Sequence, residues 1–226
     1  MIDKTTIPSY WEKQVANKIE RIHELQAKGG KSCVSVGMIT DFHFRENTKI
    51  SPALMRRITE ECAIPYFFNA GDVISGCGIC ESSFIKNEID SVRQLFADIE
   101  RKCLMAEGNH DRAYSTFEPP AYYAQNLTYK DFYERYFRFQ MQYDDRVFGK
   151  NGTYFYADAK QQKTRFIVLD SQDTPSDETL PDGKIKYNSM LHFGFLQDQL
   201  EWFANVALSV PDKDWNVVVC SHATPS

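Results

Sequence analysis

The stretch Glu107-Gly108-Asn109-His110-Asp111 decides how the chain is interpreted, because it places catalytic residue types directly after a short apolar run. Residues 103–106 form that run, and their composition is typical of a buried strand. Three further apolar runs end in the same way, at Asp41-Phe42-His43, at Gly71-Asp72 and at Ser221-His222. Because loops that leave parallel strands converge at the carboxyl edge of an open α/β sheet, we expect the four segments to form one site.

Composition narrows the class of protein. The chain has 226 residues, 42% of them hydrophobic and 25% charged, which is typical of a soluble globular protein with one α/β domain over residues 1–226. A net charge of −5 argues against a general surface for polyanions. No run approaches the roughly 18 apolar residues of a membrane span, and no signal-peptide core follows Met1. We therefore expect a cytoplasmic protein without a membrane partner.

The cysteines agree with the expected cytoplasmic location. Of the six cysteines, Cys33, Cys62, Cys103 and Cys220 lie in or beside apolar runs, where a thiol behaves as a small buried hydrophobe. We interpret them as reduced core residues. The remaining pair, in Cys77-Gly78-Ile79-Cys80, has the spacing of half a zinc or redox site, but no second pair accompanies it.

Apolar periodicity predicts an alternation of helices and strands. An amphipathic helix is expected over residues 10–28, opened by a capping box between Ser9 and Glu12. Further helices are predicted over residues 51–63, 85–99 and 195–208, and strands over residues 34–40, 66–69, 103–106, 153–157, 165–169 and 215–220. The first half thus has the β-α-β-α-β order of a largely parallel sheet. An aromatic-rich insertion at residues 114–143 is expected to cover or flank the site.

The polar residues at the strand ends form a mixed set of oxygen and nitrogen donors. The set consists of Asp41, His43, Asp72, Asn109 and His222, and it suits Mn, Fe, Zn or Mg. Any one cluster could be an ordinary turn, but the four together predict a metal site. A carboxylate such as Asp72 can bridge two ions about 3.5–4 Å apart, which would clamp both oxygens of an in-line phosphoryl displacement. Water held between the ions would ionise near neutral pH and supply the nucleophile.

In this order, and each after a strand, these motifs resemble those of the calcineurin-like metallophosphoesterases. Residues 166–171 and 199–203 also resemble the central strand and following helix of that family. The resemblance implies an α/β fold, a four-layer αββα sandwich of two mixed sheets flanked by helices. It also implies two divalent metal ions and hydrolysis of a phosphate monoester or diester by a bridging hydroxide.

The resemblance also implies a role for each site residue. Asp41 and His43 would bind the first ion, Asp72 would bridge, and Asn109 and His222 would bind the second.

The same motif supplies the expected catalytic residues. His110 would face the phosphate and stabilise or protonate the leaving oxygen, and Asp111 would orient the His110 ring.

One departure concerns the distal ligands. The family closes its site with a Gly-His-x-His motif, and no such motif follows His222 in this sequence. We therefore expect the C-terminal part of the domain to be missing and metal affinity to be reduced. The alternative function is a non-catalytic domain that retains the fold and binds a partner without a complete metal site.

Other departures concern the substrate. Gly71-Asp72-Val73-Ile74-Ser75 and Gly108-Asn109-His110-Asp111 differ from the corresponding motifs of the Ser/Thr protein phosphatase branch. Ser75 also stands where purple acid phosphatases place a tyrosine. The pattern is closer to the cyclic-nucleotide phosphodiesterases and general phosphatases, so we expect a small phosphoester substrate, with a nucleotide among the candidates. A nucleic acid substrate stays open but is not favoured, and the sequence does not identify a protein partner.

Overall fold

Two β-sheets stacked face to face organise the molecule. The computed structural model describes residues 6–30, 33–45, 48–76, 82–112, 127, 129–175, 178–183, 186–187 and 191–224. The strands are β1 (Gly37–Ile39), β2 (Phe67–Asn69), β3 (Cys103–Met105), β4 (Arg146–Phe148), β5 (Phe155–Ala159), β6 (Thr164–Val168) and β7 (Asn216–Cys220). The helices are α1 (Glu12–Gly29), α2 (Ile50–Glu61), α3 (Ser82–Phe96), α4 (Tyr129–Tyr136) and α5 (Gln197–Trp202).

The first sheet has the order β1-β2-β3, and its strands are all parallel. The connections that carry α2 and α3 return the chain to the same end of the sheet each time, as parallel pairing requires. All three residues of β2 are buried, so this strand is covered on both faces, and Phe67 and Phe68 point to opposite faces without a polar residue between them. The three carboxyl ends therefore lie side by side.

The second sheet has the order β4-β5-β6-β7 and is mixed. β4, β5 and β6 pair antiparallel, whereas β7 runs parallel to β6, with Val168 opposite Cys220. β7 consequently ends beside the segment that follows β6.

Three apolar clusters separate the layers. The cluster between the sheets includes Phe68 and Leu104 of the first sheet with Phe155 and Phe166 of the second. Another covers the outer face of the first sheet with residues of α3 and α4, and a third packs Ile167 of the second sheet against the helical segment that includes α5. The order is helix, sheet, sheet, helix, so the predicted four-layer sandwich is confirmed.

The structure corrects several details of the prediction. The capping box is wrong, because Ser9 lies in a short 3-10 turn and no side chain caps α1. The last predicted helix continues beyond α5 as a π-helical turn, Phe203–Ala207. β4 was not predicted at all. The Cys77–Cys80 motif lies outside the described residues, and so do residues 113–126 and 128 of the aromatic-rich insertion.

Candidate metal centre

The loops after β1, β2 and β3 are joined to one another through the main chain. The amide of Asp41 donates to the carbonyl of Gly71 (3.1 Å), and the amide of His43 donates to the carbonyl of Asp72 (2.8 Å). The third loop approaches so closely that a Cβ added at Gly108 would lie 2.2 Å from Asp72 Oδ1. Only glycine permits this approach, which brings the predicted ligand loops together.

Three predicted ligands have an unusual backbone conformation. Asp41, His43 and Asp72 have positive φ angles of 51°, 41° and 54°. Each such non-glycine residue costs of order 1–3 kcal/mol, and conformations of this kind cluster at functional sites. Phe42, between two of them, is buried in the core, so it holds the strained loop in place.

Asp72 lies at the centre of the cluster, and its side chain is only 3% exposed. Its Oδ2 atom is 3.8 Å from His43 Nε2, and its Oδ1 atom is 3.5 Å from His222 Nε2. The two oxygens of one carboxylate thus face two different imidazoles. This is the arrangement expected of a carboxylate that bridges two ions.

The three histidines of the cluster share one hydrogen-bonding pattern. In each ring, Nδ1 contacts a main-chain carbonyl. For His43 it is the carbonyl of Ile74 (3.2 Å), for His110 that of Ser75 (2.6 Å) and for His222 that of Ala70 (2.9 Å). Because a carbonyl can only accept a hydrogen bond, Nδ1 carries the proton in each ring. In the neutral ring, Nε2 then has a free lone pair that can bind a metal ion. A main-chain partner behind the ring is typical of metal-ligating histidine. The rings therefore fit divalent metal ions.

Asn109 and His222 meet across the two sheets. Asn109 Oδ1 lies 2.8 Å from His222 Nε2, although the residues are 113 positions apart. The two atoms that could bind a metal ion, one oxygen and one nitrogen, thus lie at the same point between the sheets. This placement agrees with their prediction as ligands of one ion.

Asp41 and His110 are also placed at the cluster. Asp41 Oδ1 lies 3.9 Å from His43 Nε2, and its side chain is 57% exposed, so it stands at the open rim. His110 Nε2 lies 3.9 Å from Asp72 Oδ2, and its amide donates to Asp72 Oδ1 (2.9 Å). Ligand atoms of His43, Asp72 and His110 all lie within 4.8 Å of one another. The geometry thus allows His110 to be a metal ligand, a role that the sequence did not suggest.

The predicted role of Asp111 is wrong. Its carboxylate accepts the main-chain amides of Gly108 (2.8 Å), Asp72 (3.0 Å), Val73 (2.7 Å) and Ile74 (3.3 Å). The His110 ring is oriented by the carbonyl of Ser75 instead. Burial raises the pKa of Asp111 to about 7, the nearby Asp72 carboxylate adds to this, and the amide donors oppose it. Asp111 ties the two ligand loops together rather than supporting an imidazole.

Sequence reasoning missed a buried ion pair next to the site. Glu107 and Arg112 bracket the Gly-Asn-His-Asp motif, both side chains are fully buried, and Arg112 Nε lies 2.5 Å from Glu107 Oε1. Burial raises the pKa of Glu107 well above its ordinary value, and the charge of Arg112 opposes that rise. Opposite charges on either side of the motif were the only available signal, and sequence alone does not show that they are buried.

The fold and the donor set together define a metal-binding α/β phosphoesterase. A family model described as calcineurin-like phosphoesterase matches residues 34–226, and the chain belongs to this family. Membership implies metal-dependent phosphoester hydrolysis and confirms the resemblance drawn from the motifs. No curated protein and no solved structure matches the chain.

The helices give one further result. Among those that the structure describes, none has the combination of length and apolar composition needed to cross a bilayer.

Proposed function

We propose that the protein hydrolyses a small phosphate ester at a dinuclear metal site. The observation that carries the proposal is the position of Asp72, whose two oxygens face His43 on one side and His222 on the other. Asp41 and His43 would complete one ion site with Asp72. Asn109 and His222 would complete the second. Two divalent ions held there, Mn, Fe, Zn or Mg, supply Lewis acidity and lower the pKa of an attacking water.

His110 would act on the substrate. The Ser75 carbonyl fixes its ring through Nδ1, so Nε2 points toward Asp72 and the centre of the cluster. In the protonated ring, Nε2–H can donate to the leaving oxygen of the ester, which is general acid catalysis. The neighbouring His43 ring, with centroids 4.9 Å apart and an angle of 88° between the planes, restricts how far the His110 ring can turn.

The substrate class is proposed from the charge of the chain. A net charge of −5 argues against a general polyanion surface, which favours a small ester, including a nucleotide, over a nucleic acid. Both monoesters and diesters remain candidates. We also propose a cytoplasmic location, because Cys33, Cys62, Cys103 and Cys220 are free thiols.

The test compares two histidine substitutions in the full chain loaded with MnCl2. His110→Asn removes the proposed acid, and His23→Asn is the matched control on the exposed side of α1. We expect kcat on bis-p-nitrophenyl phosphate or p-nitrophenyl phosphate to fall at least about 100-fold for H110N, the usual contribution of a general acid. H23N should keep the unmodified rate.

Metal content of the same samples separates the two roles open to His110. Two ions per chain in H110N would support the acid role, whereas loss of one ion would make His110 a ligand. An unmodified protein that binds Mn and hydrolyses neither ester would contradict the proposed function and favour the non-catalytic binding domain.

A further inference from the structure

The contact between Asn109 and His222 depends on how the two sheets are placed relative to each other. Asn109 follows β3 of the first sheet, and His222 follows β7 of the second. The interface between the sheets is an apolar cluster, and apolar packing is non-directional. A distance as short as 2.8 Å between polar atoms of the two residues therefore requires directional contacts close to the site.

Arg112 supplies such a contact on the side of Asn109. Its side chain is fully buried, and Nε pairs with Glu107 across the base of the loop that carries Asn109 and His110. Nη2 of the same guanidinium donates to the carbonyl of Gln172 (3.4 Å), in the segment that follows β6. One side chain thus closes the loop of the first sheet and attaches it to the second.

The segment after β6 makes the matching contact on the side of His222. The hydroxyl of Ser171, also buried, accepts the amide of Ala223 (3.1 Å), the residue next to His222. The segment is itself fixed to α5, since the amide of Asp170 donates to Gln199 Oε1 (2.8 Å) and Gln199 Nε2 donates to the carbonyl of Asp170 (3.0 Å). A continuous path of contacts therefore leads from the Asn109 loop to the His222 loop.

We propose that Arg112 is a positioning residue that sets the separation of Asn109 and His222 and thereby the affinity of the second ion site. The inference rests on the proposed assignment of that site. Glu107 holds the guanidinium in place. The hydrogen bond to the Gln172 carbonyl then fixes the guanidinium relative to the second sheet. The first ion site, built from Asp41, His43 and Asp72, lies on the first sheet alone, and we expect its affinity to be independent of this path.

Variants distinguish a positioning role of Arg112 from a general contribution to the stability of the fold. Arg112→Met alone would leave the Glu107 carboxylate buried without its partner, which is strongly destabilising, so it is combined with Glu107→Gln. Arg146→Met is the control. Arg146 is likewise buried and donates to the carbonyls of Arg101 (2.8 Å) and Cys103 (3.0 Å), but it lies where β3 begins, away from the ligands. Arg112→Lys tests partial rescue, because lysine keeps the charge beside Glu107 without the second donor arm.

The first measurement is calorimetric titration of the folded chain with MnCl2. For E107Q/R112M we expect the second site to weaken about 10–100-fold, the usual cost of removing an outer-shell partner, with the first site unchanged. R112K should be intermediate, and R146M should bind like the unmodified protein. Equal weakening in R146M, or two unchanged sites in E107Q/R112M, would overturn the proposal.

The second measurement needs no metal and no activity. In 15N–1H spectra of the histidine rings of the metal-free chain, E107Q/R112M should shift the His222 resonances and leave those of His43 in place. R146M should move neither. Unchanged His222 resonances in E107Q/R112M would overturn the proposal even if the unmodified protein bound a single ion. Hydrolysis by the unmodified protein tests the proposed function separately, because neither readout uses turnover.

Discussion

The surroundings of the polar residues differ between the two ends of the sandwich. At the carboxyl ends of β1, β2 and β3, Asp72 is buried and faces three imidazoles. At the opposite end, an open cavity of about 630 Å³ is lined by the segments that lead into β2 and β3, including Tyr66, and by residues of the second sheet, including Asp158. There the Tyr66 hydroxyl donates to Asp145 Oδ2 (2.9 Å), and Arg165 pairs with Asp158 at 2.7 Å. These polar groups have partners within the chain.

The difference indicates which polar residues have a structural role and which have a functional one. Charges that are paired within the chain contribute to folding, and nothing further is needed to explain them. At the carboxyl ends of β1, β2 and β3, Asp41, His43 and Asp72 all have strained backbone, and the buried Asp72 carboxylate lies among imidazole rings. Such a concentration of unfavourable features is expected at a functional site.

The largest effect is expected when one aspartate at each end is changed. Asp72→Asn removes the proposed bridging carboxylate, so hydrolysis of p-nitrophenyl esters should fall more than about 100-fold, beyond the cost of losing an outer-shell partner. Asp145→Asn leaves an oxygen that still accepts from Tyr66, so activity should be retained with only a small loss of stability. Steady-state kinetics and thermal melts measure both. Similar kinetics in the two variants would remove the functional distinction between the ends.

A smaller effect concerns the pH dependence of stability. Burial raises the pKa of Asp170 from 3.8 to about 6 in the folded protein. The folded state then binds the proton more tightly than the unfolded state, so stability from this group is present at low pH and is lost as pH rises through about 6. Asp170→Asn should remove at most about 3 kcal/mol of that pH dependence. Urea unfolding between about pH 4 and about pH 7 measures it, and parallel curves for the two proteins would contradict the expectation.

The smallest effect tests the strained backbone. Asp41 and Lys163 both have positive φ, 51° and 45°, and lie at opposite ends of the sandwich. Glycine relieves a left-handed cost of about 1–2 kcal/mol and loses about 0.5–1 kcal/mol in extra chain entropy. D41G and K163G should therefore each gain up to about 1 kcal/mol of stability, and only D41G should lose activity. If D41G keeps its activity, Asp41 is not a ligand.

Sequence predicted which polar residues come together better than it predicted the contacts that hold them in place. Ligand types at the ends of apolar runs, such as His43 and Asp72, were visible because strand ends of a parallel sheet must converge. The alternation of helices and strands predicted the parallel first sheet, and the resemblance to the calcineurin-like metallophosphoesterases implied the four layers. These features depend on local pattern and general topology.

The supporting contacts depend on tertiary structure. Asp111 was assigned to the His110 ring because it is adjacent in sequence, but the folded chain turns its carboxylate onto four amides of two loops. Arg112 was not considered, since a charge beside a motif is normally solvated. β4 has three residues and is defined by pairing with β5, so its sequence carries little signal of its own.

The separation of the ligands along the chain has a consequence for folding kinetics. His222 contacts the carbonyl of Ala70, a residue 152 positions earlier, and closing so long a loop requires both sheets to be in place. A partly folded chain would therefore lack the proposed second ion site, and an ion bound there would stabilise only the complete fold, by mass action on the native state. The second ion would therefore bind late in folding, only after the two sheets have docked.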